Sequence, residues 1–163
     1  MSASETLDLT RSLNRSLSTL LIWGALYGGL LLVLILLRPG SFPGDAALLI
    51  PALVGALVLT AGALVGGWFL WKRTGLESLK DFPSRKLGSK EREPGLTPRA
   101  QMLRKRMILT ATAFEIPAFI GFALPLMGGR ALLIPGMALI ALSVATVYYL
   151  KKLMPARVRE VLG

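Results

Sequence analysis

The stretch MILTATAFEIPAFIGFALPLM, residues 107–127, is apolar along most of its length and contains one ionisable residue, Glu115. A helix needs roughly 20 apolar residues to cross a hydrocarbon core about 30 Å thick, and this stretch is long enough. Three further runs, residues 17–37, 46–71 and 131–150, meet the same requirement. The sequence therefore predicts an all-α fold with four transmembrane helices.

The composition agrees with a membrane protein. The chain has 163 residues, of which 53% are hydrophobic and 17% charged, and its mean hydropathy is +0.61. This balance is too apolar for a soluble domain of the same size. The first run is longer than the apolar part of a secretory signal and is followed by Arg38-Pro39-Gly40 rather than a small-residue cleavage site, so we expect it to remain in the mature protein.

The chain contains neither Cys nor His. This excludes disulfides, thiol chemistry, Cys/His metal sites and every catalytic arrangement that needs an imidazole or a thiolate. We therefore expect a protein that is not an enzyme, with no catalytic residue, no metal ligand and no cofactor.

The placement of positive charge predicts how the helices cross the membrane. Residues 72–106 contain eleven Lys or Arg and four acids, and residues 151–163 contain four and one. The other two connections, residues 38–45 and 128–130, contain one Lys or Arg each. Because Lys and Arg near helix ends stay in the cytoplasm, we expect a multi-pass protein of the inner membrane with both termini in the cytoplasm.

This threading divides the chain into five segments. It predicts a cytoplasmic amino-terminal segment (1–16), a first transmembrane hairpin (17–71), a basic cytoplasmic loop (72–106), a second hairpin (107–150) and a basic cytoplasmic tail (151–163). Within the loop, Thr97-Pro98 has the pattern of a helix N-cap and first turn. The helix that starts there is expected to continue into the third span.

The pentapeptide ALLIP occurs twice, at residues 47–51 and 131–135. Both copies begin a span that enters from the outer face, after a turn that contains Pro or Gly. The two hairpins would then be repeated units in the same orientation. The alternative is that one favourable helix start is used twice.

Two Gly-x-x-x-Gly patterns lie in the first hairpin, at Gly24 and Gly28 and at Gly62 and Gly66. Glycines at this spacing line one helix face and allow close approach of a second helix in lipid. We expect the first two helices to contact each other through these faces; the alternative is that the glycines contact a partner subunit.

The Lys and Arg residues beside the spans are candidates for contact with anionic membrane lipid, since such clusters attract anionic headgroups. The candidates are Lys72, Arg73, Arg104, Lys105, Arg106, Lys151 and Lys152. The alternative is that these charges only enforce the topology. The basic loop has a single aromatic residue, Phe82, so we expect no binding of nucleic acid.

Glu115 is the candidate proton- or cation-binding residue, because an intramembrane carboxylate is expensive and is often functional. Helix depth places the hydroxyls of Thr60, Ser143 and Thr146 near its level. Pro117 cannot donate to the carbonyl of Ala113, which leaves another acceptor nearby. The alternative is a buried, hydrogen-bonded Glu that fixes helix packing.

The third span also carries a resemblance. Arg106, Glu115, Ala118 and Gly121 follow the basic loop in an order that resembles small four-helix bacterial integral membrane proteins of unknown function, which implies membrane topology and no activity. Over one helix, Glu115 with Pro117, Ala118 and Gly121 is also similar to the carboxylate-bearing helix of rotary ATPase proteolipids.

These observations lead to two functional hypotheses. The first is a non-enzymatic membrane protein that packs with itself as a homo-oligomer, or serves as an accessory subunit of a larger membrane complex. The second is a protein that binds or translocates protons or cations at Glu115.

Overall fold

The computed structural model describes residues 3–37, 46–74 and 97–162, which are almost entirely helical and include no strand. The long helices are α1 (Ala3–Leu37), α2 (Ala46–Lys72), α3 (Pro98–Gly128) and α4 (Leu133–Leu162). All four are long and apolar enough to cross a membrane. The predicted all-α fold with four membrane-length helices is therefore confirmed. The turn at 38–45 and the part of the basic loop at 75–96 lie outside the described residues.

The predicted helix start inside the basic loop is confirmed. Thr97 is the N-cap of α3, Pro98 occupies its first turn, and the Thr97 hydroxyl accepts a hydrogen bond from the Ala100 backbone N–H at 3.4 Å. The side chain satisfies a donor that has no partner within the helix. Residues 98–106, predicted as the end of a loop, are thus the first turns of α3.

A tight turn joins α3 to α4. Gly129 has a φ of 73° and donates its N–H to the carbonyl of Pro125, a conformation that glycine adopts at little cost. A 3-10 turn, Gly129–Leu132, then leads into α4. The second ALLIP therefore spans the junction of this turn with α4, whereas the first lies entirely inside α2. The repeated pentapeptide does not occupy the same structural position twice.

Helix α3 is the centre of the bundle. It packs against α1, α2 and α4, while α1 also packs on α4. Helices α3 and α4 are antiparallel, because Gly121 meets Gly136 and Phe114 meets Ser143. Helix α2 packs on α3 and touches the 3-10 turn.

The predicted contact between the first two helices through their glycine faces is wrong. Within the described residues, α1 and α2 share no packed interface. Gly24 and Gly28 are buried, but a Cβ at Gly24 would meet Val144 and Glu115, and one at Gly28 would meet Ile140. These glycines therefore serve the contact of α1 with α3 and α4.

The glycine pair on α2 faces away from the bundle. Gly62 and Gly66 are exposed, and a Cβ at either would meet no atom within 4 Å among the described residues. The glycine that α2 uses for packing is the next one, Gly67, where a Cβ would lie 2.6 Å from the ring of Phe114. The sequence shows the repeated motif, but it does not show which of the three nearby glycines faces α3.

The backbones of α3 and α4 approach each other closely at Gly121 and Gly136. A Cβ on either glycine would overlap the carbonyl oxygen of the other. Pro125, one turn after Gly121, has no N–H to give to the Gly121 carbonyl, and its ring packs over Gly136. The freed carbonyl lies against the Gly136 backbone, a geometry that suits a weak Cα–H···O contact.

At the opposite end, the helices continue as a packed three-helix unit, here called the terminal cluster. Helix α1 has 35 residues, so it is about 52 Å long at about 1.5 Å per residue, well beyond a hydrocarbon core of about 30 Å. The cluster is composed of Leu9, Leu13, Leu17, Ala100, Leu103, Met107, Ala111, Val147, Leu150, Met154, Val158 and Val161. Within the segments predicted as 1–16 and 151–163, the described residues 3–16 and 151–162 therefore belong to α1 and α4 without a break.

We expect Gly136→Ala to destabilise the protein by about 1–3 kcal/mol, because the methyl group has no room against the Gly121 carbonyl. The change can be measured as a lower midpoint of thermal unfolding in detergent. Gly29→Ala and Gly55→Ala are matched controls, since a Cβ at either position meets no described atom within 4 Å and Ala favours the helix by about 1 kcal/mol. Equal effects at all three positions would contradict the close backbone contact.

Candidate functional site

The carboxylate of Glu115 lies where three helices meet. The residue belongs to α3, Ser143 approaches it from α4, and Gly24 approaches it from α1. The Ser143 Oγ is 2.8 Å from the Phe114 carbonyl oxygen and 3.3 Å from Glu115 Oε2. The absence of a side chain at Gly24 makes room for the carboxyl group, because a Cβ there would lie 3.1 Å from Glu115 Oε1.

The distances around Ser143 indicate how its single proton is used. The shorter contact is to the Phe114 carbonyl, which can only accept, so the Ser143 hydroxyl donates there. A lone pair of Ser143 Oγ then remains toward Glu115 Oε2 at 3.3 Å. This arrangement suits a Glu115 carboxyl that carries a proton and donates it to Ser143.

The second carboxyl oxygen has a different environment. Glu115 Oε1 is buried and has no hydrogen-bond partner within the part of the chain that the structure describes. The residue as a whole is half-buried. A buried acceptor without a partner is unfavourable unless something else satisfies it, so Oε1 is the atom of this site to which a water molecule or a cation would bind.

The other two predicted hydroxyls do not join this site. Thr146 donates within its own helix, with Oγ1 2.9 Å from both the Leu142 and the Ser143 carbonyl oxygens. Thr60 Oγ1 is buried on α2 without a partner among the described residues. Of the four residues predicted to form the ion site, the structure brings together only Glu115 and Ser143.

A cluster of aromatic rings lies next to the site, one to two turns closer to the α3–α4 turn. The ring of Tyr27 lies one turn beyond Gly24, with its centroid 5.6 Å from that of Phe122 and 6.4 Å from that of Phe119. Trp23 packs against Tyr27 at 6.5 Å. Sequence reasoning missed the Phe residues of α3, because aromatic residues at helical spacing are as common in ordinary helix packing.

The seven predicted lipid-contact cations gather at one end of the bundle, and several are held by the protein itself. Lys151 Nζ donates to Ser18 Oγ at 2.9 Å, and Arg106 donates to the Arg73 carbonyl. Lys72 and Lys152 stand over aromatic rings, Trp68 and Tyr148 respectively. Arg73 and Lys105 are exposed and Arg104 is half-buried. This end therefore presents a basic surface.

A second site was not predicted from the sequence. A groove of about 540 Å³ runs between α2 and α4, with Phe114 of α3 beneath it. Its lining is almost wholly apolar, and we call it the α2–α4 groove. It is lined by Leu64, Trp68, Trp71, Phe114, Ala145, Thr146, Tyr149, Leu150 and Leu153. No periodicity signalled it, because it arises from a gap between helices that are distant in the chain.

The known proteins offer no guide to either site. No family model, curated protein or solved structure matches the chain. Within the described residues there is also no group of three or more Asp or Glu side chains that could hold a metal ion. The resemblances noted in the sequence thus stay predictions, and the function is argued from geometry.

We expect Ser143→Ala to destabilise the folded protein by about 1 kcal/mol, because it removes a hydrogen bond between α3 and α4 inside lipid. Thr146→Ala is the matched control, since its hydroxyl bonds only within α4. Thermal unfolding in detergent measures both. If the two variants unfold at the same temperature, the contact between Ser143 and α3 contributes nothing to stability.

Proposed function

We propose that this chain is a non-enzymatic multi-pass membrane protein that associates through the exposed glycine face of α2. The partner is a second copy of the chain, or a larger membrane complex in which the protein is an accessory subunit. The observation that carries the proposal is the orientation of Gly62 and Gly66. Both are turned away from α3, whereas the other Gly-x-x-x-Gly pair of the described residues, Gly24 and Gly28, is used for packing.

The residues beside these glycines make the face suitable for a second helix. Val58 and Val65 are 66% and 59% exposed, and the helical period places both of them next to the shallow strip at Gly62 and Gly66, on the same side of it. Stiff side chains beside glycines lose little conformational freedom when another helix packs on them. In lipid, association depends on such close packing and not on water exclusion.

The proposal includes the threading predicted from charge. The ends of α2 and α4 and the starts of α1 and α3 lie together, as supported by the contacts of Lys151 with Ser18 and of Arg157 with Thr74. This end carries the Lys and Arg cluster, so by the positive-inside rule it faces the cytoplasm. The two helix pairs, residues 17–71 and 107–150, then cross in the same orientation, joined by the basic cytoplasmic loop in the inner membrane.

We expect Gly62→Leu and Gly66→Leu to abolish self-association or complex formation, since a Leu side chain separates the helix backbones. Cysteine crosslinking provides the measurement: the chain has no Cys of its own, so a single Cys at Val58 reports the proximity of two α2 helices. Gly29→Leu on α1 is the control, since it is also open to its surroundings. A glycine variant that crosslinks or copurifies like the parent protein would contradict the proposal.

A second candidate function is favoured by the unsatisfied oxygen of Glu115. We propose that Glu115 binds a proton or cation, with Ser143 orienting the carboxyl group and the missing side chain at Gly24 leaving room for it. The support is the burial of Oε1 beside the single hydrogen-bonded contact of Oε2.

We expect a hydrophobic carbodiimide to label Glu115 in lipid nanodiscs at neutral pH, because the reagent attacks carboxyl groups that hold a proton, and a bound cation to protect it. Mass spectrometry locates the adduct, and Glu115→Gln is the control for site specificity. Glu160, an exposed carboxylate at the end of α4, serves as an internal reference. Absence of labelling at Glu115 as the pH is lowered, down to a pH at which Glu160 is labelled, would remove this second candidate.

A further inference from the structure

The residues that line the α2–α4 groove differ between its two ends. Its deeper end is formed by Leu64 and Phe114, and its other end by Trp71 and Leu153. Leu64 and Trp71 are two turns apart on α2, so the groove extends about 10 Å along the helix. Trp and Tyr prefer the boundary between hydrocarbon and headgroups, and the groove's Trp68, Trp71 and Tyr149 concentrate at one end. The groove thus runs from the headgroup level into the hydrocarbon.

Two cations stand over the aromatic rim. Lys72 Nζ lies 5.6 Å from the centroid of the Trp68 ring, and the Arg157 guanidinium lies 5.5 Å from that of Trp71. Lys72 belongs to α2 and Arg157 to α4, so the two helices that border the groove each contribute one charge. Both rings line the groove.

The position of Arg157 is fixed by further bonds. Its Nε donates to Thr74 Oγ1 at 3.3 Å, and Thr74 in turn donates to the Trp71 carbonyl at 2.6 Å. Its NH1 also pairs with the exposed carboxylate of Glu160 at 2.7 Å. Arg157 therefore bridges α4 to the end of α2 at the mouth of the groove.

We propose that the α2–α4 groove binds one anionic phospholipid, with an acyl chain along the apolar lining and the phosphate between Lys72 and Arg157. The charges at the mouth select an anion, and the apolar interior selects a hydrocarbon chain. A volume of about 540 Å³ falls within the range of about 300–1,000 Å³ for small-molecule sites. A second protein helix is a poorer occupant, because a helix about 10 Å in diameter is too large for a groove of about 540 Å³.

This inference is independent of the proposed association. On α2 the groove residues Leu64, Trp68 and Trp71 lie on the side opposite Gly62 and Gly66, as the helical period of 3.6 residues requires. Failure of either idea leaves the other intact.

Quenching of tryptophan fluorescence by brominated lipid tests the site. The chain has three Trp residues, so one variant keeps only Trp71 at the groove and a second keeps only Trp23, which is exposed on α1. The replaced Trp residues become Phe, so that an aromatic ring remains beneath Lys72. Each is placed in nanodiscs of phosphatidylcholine with a small fraction of brominated phosphatidylglycerol. We expect stronger quenching of Trp71 than of Trp23, and no such difference with brominated phosphatidylcholine.

Charge variants separate this site from general surface attraction. Lys72→Gln removes one positive charge from the mouth of the groove. It is expected to lower the ratio of Trp71 quenching by anionic lipid to that by neutral lipid about fivefold, because each Lys or Arg near the surface contributes about that much to the attraction of anionic lipid. Lys152→Gln, at a ring outside the groove, should leave it unchanged. Ala145→Phe fills the lining and should lower quenching without any change in charge.

Two results would overturn the proposal. One is equal quenching of Trp71 by anionic and neutral brominated lipid. The other is an effect of Lys152→Gln as large as that of Lys72→Gln, which would show that the whole basic end attracts anionic lipid without a defined site.

Discussion

The crossing of α3 and α4 at Gly121 and Gly136 is the contact on which the rest of the bundle depends. Two backbones touch there because neither residue has a side chain, and in lipid such proximity is what allows packing forces to hold helices together. Pro125 contributes by freeing the Gly121 carbonyl and by covering Gly136. A close crossing near the α3–α4 turn sets the separation of the two helices along their whole length.

The polar site and the terminal cluster both follow from that separation. Ser143 reaches the Phe114 carbonyl and Glu115 across the same α3–α4 interface, about two turns beyond the glycine crossing. Further along, Met107 and Leu150 meet in the terminal cluster. Helix α1 then packs on the surface that α3 and α4 form together, with Gly24 at the level of Glu115. The Glu115 carboxyl group thus lies between three helices, and the glycine crossing of α3 and α4 sets the spacing of two of them.

The sequence predicted the features that depend on a local pattern, such as helix positions. It missed the contacts that depend on which helices become neighbours. Length and hydropathy predicted four helices, and Thr97-Pro98 predicted the start of α3, because caps and apolar runs are local. Depth correctly paired Glu115 with Ser143, but depth alone does not say on which face a residue lies, so Thr60 and Thr146 were included as well. The glycine motifs could not reveal their partners, and α1 was matched with α2 in place of α3 and α4.

Helices α1 and α2 share no packed interface within the described residues, which has a consequence for biosynthesis. The amino-terminal spans leave the ribosome first, so these two must each reside in lipid before α3 arrives to receive them. A strongly apolar segment can do this, because it partitions from the translocon into the bilayer without a partner helix. The most apolar 18-residue windows of α1 and α2 have mean hydropathies of 2.5 and 2.4, against 1.8 in α3 and 2.0 in α4. The helix that carries the carboxylate is the least apolar, and it emerges when two of its three neighbours are already in the bilayer.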